Sequence, residues 1–364
     1  MMTNHLDHRL GSRLNLGDFM GKRLLFLTTL TALLLSSVVW AQRHNALDIY
    51  FVDVEGGQST LFVSPSGESM LVDTGFPGER DATRIAAVAK GAGVSQVDYL
   101  LITHYHGDHV GGVPELAMRI PIRTFVDHGP TTDQSLGVPQ SYQSYVSVRD
   151  KGQHQHIVAK PGLKLPIKGI DVEVVSAATE LISRPLPGAG AANPLCSEFQ
   201  PKDEIKDPLL GGENAQSVGT VISLGKFRMV DFGDLTWNHE HDLACPRNLI
   251  GTADLYLTTH HGQNISGLPM LVYALHPRVA IMNNGAKKGG ASDSFQILHK
   301  APGLADLWQL HYAVDAKDLN SPEEFIANPD ETTAHYIKVK AQSDGSFTVT
   351  NSRNGYHKEY PPRS

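Results

Sequence analysis

Three histidines and an aspartate fall within six residues, His104-Tyr105-His106-Gly107-Asp108-His109, directly behind the apolar run Asp98–Thr103. In an extended loop alternate side chains share a face, so His104 and His106 can meet one ion while Asp108 and His109 turn toward another. Imidazole and carboxylate together suit Zn2+, Fe or Mn2+. Gly107 lets the backbone turn sharply between the two pairs, and Gly111-Gly112 permit tight packing into the next helix. A lone His-x-His is commonly a pair of solvated loop residues; four donors packed behind one apolar strand are a much rarer arrangement.

Further donors close other apolar runs. Asp73 ends Met70–Asp73, Asp234 follows Phe232-Gly233, and His260-His261 follow Asp254–Thr258. A single Asp at a strand end is more often a turn former than a ligand. Each of these, however, ends a separate run of the same kind, which favours one shared pole of a fold.

The elements that must hold these residues are legible as alternating patterns. Leu47–Val54, Thr60–Ser64, Met70–Asp73 and Asp98–Thr103 read as strands, as do 122–127, Val218–Leu224, Phe227–Asp231 and Val279–Met282. Arg80–Ala92 reads as a helix with Ile85, Val88 and Ala89 on one face, 113–118 as one or two helical turns, and Leu268–Leu275 as a helix. Ile337–Ala341 and Phe347–Thr350 flank Ser343-Asp344-Gly345, a hairpin signal. Residues 179–214 are rich in Pro and Gly with little periodicity and read as a long loop, a lid or substrate-facing insertion. Strands followed by strand–helix–strand units predict an α/β sandwich with mixed sheets.

The chain has 364 residues, 41% of them hydrophobic and 19% charged, with a formal net charge of −7. That is globular composition, which excludes a disordered tail, a collagen-like rod and a multi-span membrane protein. Lys22-Arg23, the apolar stretch Leu24–Val39 and small residues at Val39 and Ala41 predict a secretory signal peptide, with a leader before it and Met20 as a natural start. The stretch falls short of the ~20 residues of a spanning helix. Cleavage after Ala41 removes Arg9, Arg13, Lys22, Arg23, Asp7 and Asp18, moving the formal charge from −7 to −9. An acidic exported chain has no general attraction for polyanions, so strong nucleic-acid binding is not expected. Cys196 and Cys245 would meet an oxidising space and could pair or stay free.

Together these segments resemble the metallo-β-lactamase superfamily and, within it, the hydrolase domain of the competence DNA-uptake channel proteins (ComEC-type) and their stand-alone relatives. The resemblance runs through Val52-Asp53-Val54-Glu55-Gly56-Gly57-Gln58, Leu71-Val72-Asp73-Thr74-Gly75, His104–His109 with Val110-Gly111-Gly112, Phe232-Gly233-Asp234, and His260-His261-Gly262 with Ser266. It spans roughly residues 46–300, leaving 1–41 as leader and signal and 301–364 as a C-terminal extension whose hairpin packs on the same domain. A competence channel itself is not expected, because no spanning segment follows the signal.

The resemblance implies an αββα sandwich of two mixed sheets with a binuclear site at one edge. His104 and His106 would hold the first metal. Asp108, His109 and one of His260 and His261 would hold the second, His260 being preferred as nearer the strand end. Asp234 would bridge the ions, and Asp73 would orient a ligating histidine. Many members carry another His before the bridging Asp. Here Asn214 and Ser217 stand there, as in the competence subgroup, so the first metal is short of a protein ligand. His128 could fill the gap, although a satisfied loop histidine is the plainer reading. Glu55, Ser59 and Gln263 depart from the subgroup at positions that line the cleft rim. His261, Asn214 and Asn284 are candidates for outer or substrate-facing roles. Lys287-Lys288 could bind a substrate anion or lie in solvent. His239 and His241 are outer groups or the face of a short helix.

The expected cofactors are two divalent ions, Zn2+ with Mn2+ or Fe as alternatives. Ions ~3.5–4 Å apart lower the pKa of a bridging water to give hydroxide near neutral pH. Asp108 and Asp234 are the carboxylates assigned to catalysis, Asp108 also managing a proton. The expected activity is therefore exported, metal-dependent hydrolysis of a small-molecule phosphodiester or nucleotide-like substrate. The alternatives are hydrolysis of a lactone, thioester or β-lactam, and metal binding without catalysis. The sequence carries no reading of the oligomeric state.

Overall fold

A computed structural model describes residues 45–199 and 212–363, apart from Thr132 and Leu136. The leader and export signal expected over 1–41 lie outside the described residues, as does 200–211 of the Pro/Gly-rich segment.

The first half builds one sheet: β1 (Ala46–Phe51), β2 (Thr60–Val63), β3 (Ser69–Val72), β4 (Val97–Leu101), β5 (Ile122–Asp127) and β6 (Gln155–Val158). The second half builds another from β7 (Lys164–Leu165), β8 (Asp171–Ala177), β9 (Glu180–Leu181), β10 (Gly219–Leu224), β11 (Phe227–Asp231), β12 (Leu255–Leu257), β13 (Val279–Met282), β14 (Asp306–His311) and β15 (Ile326–Asn328). The chain then returns to the first sheet as β16 (Ile337–Gln342), β17 (Phe347–Asn351) and β18 (His357–Tyr360), with β16 antiparallel to β1 in the register Ile49↔Val339. The C-terminal segment thus completes both sheets. Ser343-Asp344-Gly345 makes the expected hairpin between β16 and β17.

Strand burial explains why these runs are apolar without interruption. In β3, Met70 and Val72 face the other sheet beside Met229 and Ile281, while Leu71 faces outward with Ile85 and Leu116. Both faces of the sheet are covered, so neither alternate position can be polar. Helix Glu79–Gly91 buries Ala82, Ile85 and Ala89 on the outer face of the first sheet. Helices Trp237–Ala244, Pro269–Leu275 and Ser292–His299 cover the second through Leu243, Leu271 and Phe295. The result is the expected sandwich of two mixed sheets between helical layers.

Two features depart from the sequence expectations. Helix Val138–Arg149 was not foreseen: among its residues only Val138 and Tyr145 are buried, so it has no apolar stripe to read. The 179–214 segment is not one loose loop. β9 pairs with β8, and a 3-10 turn at Pro194–Glu198 brings Cys196 to Cys245, which form a disulfide with Cα atoms 5.6 Å apart. This bond fastens the insertion to the end of helix Trp237–Ala244. On loop-closure entropy, a crosslink spanning 49 residues stabilises the fold by about 4 kcal/mol. The double variant Cys196→Ser/Cys245→Ser should lower the denaturation midpoint accordingly; an unchanged midpoint would show that the insertion is held without it.

Candidate metal centre

Strands β3, β4 and β5 run parallel, as do β11, β12, β13 and β14, and their carboxyl ends share one pole. Asp73 follows β3, His104 follows β4, Asp234 follows β11 and His260-His261 follow β12. The backbone is strained where the donors are presented: Asp73, His260 and His261 all sit at positive φ, at 60°, 55° and 57°. Such conformations cost of order 1–3 kcal/mol each and persist only where the surroundings enforce them. The enforcement is visible. His260 N–H donates to the Gly233 carbonyl at 3.0 Å, and the His261 carbonyl accepts from Gly290 N–H at 2.9 Å.

Asp73 is fully buried and organises the histidine loop. One carboxylate oxygen accepts the Thr103 N–H at 2.8 Å, and the other accepts the Thr103 hydroxyl at 2.7 Å and faces His109 Nδ1 at 2.7 Å. This fixes the imidazole so that its Nε2 points into the centre. There it lies 3.2 Å from His261 Nε2, 3.2 Å from Asp234 Oδ2 and 3.4 Å from Asp108 Oδ2. Donor atoms of Asp108, His109, Asp234 and His261 all fall within 4.8 Å of one another. Close backbone approach makes this possible: a Cβ on Gly57 would sit 2.4 Å from the Asp108 carbonyl, and one on Gly112 would sit 2.3 Å from that of Thr74.

The other predicted donors ring this cluster. His104 Nε2 lies 3.9 Å from Asp234 Oδ2 and 2.9 Å from His106 Nδ1. His260 Nε2 is 3.2 Å from Asp234 Oδ2, with its Nδ1 3.3 Å from Ser266 Oγ. The compact cluster therefore takes His261 where the sequence favoured His260. The order along the strand misleads because the chain kinks at both residues, so the nearer residue does not reach deepest.

Electrostatics matches the geometry. Burial opposes ionisation of Asp108, but His109, Lys288 and the hydrogen bonds from His109 and His261 outweigh it and hold the carboxyl well below its usual range. Asp234 is likewise held low against burial by His109, His260 and His261. Burial pushes the His104 imidazole well below its ordinary value, aided by His109 and His106. Burial also lowers His260 to about 4 over the opposing pull of Asp234. Asp234 Oδ1 and His261 Nδ1 are buried without a hydrogen bond. Two ionised carboxylates, convergent imidazoles and a buried carboxylate oxygen left unbonded fit a divalent cation.

Several neighbours have other duties. Asn284 is fully buried and spends its amide hydrogens on the His311 and Gly285 carbonyls at 2.8 and 2.9 Å. It orders its own loop. Asn214 is buried, at 2% exposure. His128 Nε2 faces Glu213 at 2.8 Å, while its Nδ1 is buried without a hydrogen-bond partner. His241 lies beside Asp242 on helix Trp237–Ala244, and His239 Nδ1 is 3.3 Å from Thr236 Oγ1.

Some supporting residues carry no local signal. Glu213 also accepts the Tyr105 N–H at 2.9 Å, tying the end of the insertion to the histidine loop. Gln58 donates to Asp231 at 2.9 Å; burial pushes that carboxyl up to about 6. A second group, Asp53, Glu55 and His311, lies across the loop. There Arg84 already donates to Asp53 at 2.9 Å and to Glu55 at 3.0 Å, supplying the cation this group requires.

Residues 52–192 match the family model described as the metallo-beta-lactamase superfamily. That segment contains Asp73 and the whole His104–His109 loop. Among similar proteins, a hydroxyacylglutathione hydrolase from Stenotrophomonas maltophilia is 30% identical over 28% of this chain and 37% of its own length. A ribonuclease Z from Alkaliphilus oremlandii is 27% identical over 45% of this chain and 56% of its own. The chain thus spans less than two thirds of the length of these relatives. The solved structure of a diphosphatase from the PhnP family aligns with 79% of this chain and 96% of its own, at 9% identity and a TM-score of 0.36.

In a metal site, the groups that hold a ligating imidazole typically contribute 10–100-fold to metal affinity. Asp73→Ala should therefore weaken metal binding by about 10–100-fold, measured by competition with a chromophoric chelator. His261→Ala should weaken it more than His260→Ala does. The reverse order would return His260 to the central position.

Proposed function

We propose that this protein is a metal-dependent hydrolase of the metallo-beta-lactamase superfamily, of the competence-type subgroup, exported, and acting on a small phosphodiester. The observation that carries the reading is the convergence of donor atoms of Asp108, His109, Asp234 and His261 on one point. A divalent ion held there supplies Lewis acidity and a water nucleophile at neutral pH. The chain's own part is positional. Asp73 orients His109, and Asp108 and Asp234 supply the negative charge that retains the cation. His104 and His260 line Asp234, with His106 against His104, and these residues would hold a further ion. Asp108, at the rim with a partly exposed side chain, is placed to accept and pass on a proton.

Subgroup membership is supported by the contact between two of the motifs: Gln58 N–H donates to the Asp108 carbonyl at 3.1 Å, so the opening motif backs the ligand loop. Export is supported by the Cys196–Cys245 disulfide, a bond that persists in oxidising compartments. The phosphodiester is favoured by the subgroup resemblance and by the relative named ribonuclease Z, whose match covers the larger share of this chain. A second reading, thioester or lactone hydrolysis, draws on the relative named hydroxyacylglutathione hydrolase.

Protein stripped and reloaded with Zn2+ or Mn2+ should hydrolyse bis(4-nitrophenyl) phosphate. His109→Ala should lose at least about 100-fold of that rate together with its bound metal. Turnover of neutral thioesters or lactones with none of the phosphodiester would favour the second reading. Metal-loaded protein inert toward every class would leave a metal-binding protein.

A further inference from the structure

Lys288 stands between the metal centre and solvent. Its ammonium donates to the Asp108 carboxylate and to the Gly56 carbonyl, the latter at 2.8 Å, and lies 5.4 Å from the centre of the Phe76 ring. About a third of the side chain is exposed, at 34%. Its loop is fastened at both ends. Gly285 N–H donates to the Lys288 carbonyl at 2.8 Å, and Gly290 and Ala291 donate to the His261 and Gly262 carbonyls at 2.9 and 2.8 Å. The ammonium is thus aimed at the centre by the same hydrogen bonds that hold the His260-His261 kink. Alongside opens a cleft of about 400 Å3, lined by Gln263, Asn264, Lys287, Lys288, Gly289 and Asp315 among others.

The charge balance gives this placement a consequence. Asp108 and Asp234 carry two negative charges, which a divalent ion neutralises. The Lys288 ammonium then lacks its ionic partner, held only by a neutral carbonyl and an aromatic face, at the mouth of the site. Lys287 and Asp315 on the cleft wall cancel each other in formal charge. An ammonium freed at the mouth of the site, in a chain of net charge −7, is a local anchor for an anionic group.

We propose that Lys288 is a specificity residue that binds the anionic group of a small monoanionic substrate next to the metal centre, and so selects a phosphodiester over a neutral ester. This rests on the hydrolase reading above and deepens it. The ammonium donates charge-assisted hydrogen bonds to a non-bridging phosphoryl oxygen, as it does to Asp108 when no ion draws on that carboxylate. The small cleft admits the ester's substituent and has no basic track along which a polymer would lie.

The test uses the full metal-loaded chain, with metal content measured in every variant. Inorganic phosphate binding is followed by calorimetry, and KM is compared for bis(4-nitrophenyl) phosphate and for neutral 4-nitrophenyl acetate. Lys288→Ala should weaken phosphate at least about tenfold and raise KM for the anionic ester by a similar factor. KM for the neutral ester and metal content should stay within about twofold, and Lys288→Arg should restore most of the phosphate affinity. Wild-type protein that holds metal but binds no phosphate would overturn the proposal. So would unchanged phosphate affinity in Lys288→Ala, or equal losses on both esters. A wild type that holds metal and turns over neither ester defeats the hydrolase reading, while phosphate binding still decides the role of Lys288.

Discussion

Two carboxylates, Asp108 and Asp234, are brought together inside a ring of imidazoles, and the rest of the site follows from that constraint. Like charges converge only where partners face them, and here ring nitrogens and an ammonium approach from several directions. His109 sits within 3.4 Å of both carboxylates, His261 within 3.4 Å of both, and His260 beside Asp234. Lys288 closes the solvent side. The imidazoles are in turn aimed from behind, His109 by Asp73 and His260 by Ser266. An arrangement of convergent carboxylates and ring nitrogens fits a divalent cation, and the fold holds it against the strain of three non-glycine residues at positive φ.

The sandwich supplies the rigidity this requires. Parallel strands buried on both faces end at one pole, so each donor projects from an element whose position is set by side-chain packing rather than by loop preference. Asp73 illustrates the coupling. Its backbone N–H continues the ladder by donating to Leu101, while its carboxylate grips Thr103 and His109. A shift of β3 against β4 would therefore displace a ligand directly. The Glu213 contacts tie the end of the insertion to the histidine loop, and the disulfide fastens its earlier part to the end of helix Trp237–Ala244.

Much of this was legible in the sequence because its signals are local. The His104–His109 loop places four donors in one short segment behind an apolar strand. Asp73 and Asp234 each end a run that reads as a buried strand, and the sandwich follows from the order of those runs. The features that were not legible depend on distant partners or on backbone direction. The choice between His260 and His261 turns on a kink at both residues, which adjacency in sequence conceals. The bond from the Asn284 amide to the His311 carbonyl joins residues 27 apart. The pairing of His311 with Asp53 joins residues 258 apart, and His128 with Glu213 joins residues 85 apart. Helix Val138–Arg149 buries too few residues to leave a pattern.

The central claim is that one cation is held by Asp108, His109, Asp234 and His261. Crystals of metal-loaded protein, with anomalous diffraction recorded at the metal's absorption edge, address it directly. The account predicts a peak at about 2.0–2.2 Å from donor atoms of all four residues, with any second, weaker peak on the His104 and His106 side of Asp234. A peak at Asp53, Glu55 and His311 instead, or none at the four-residue cluster in protein shown to contain metal, would contradict it.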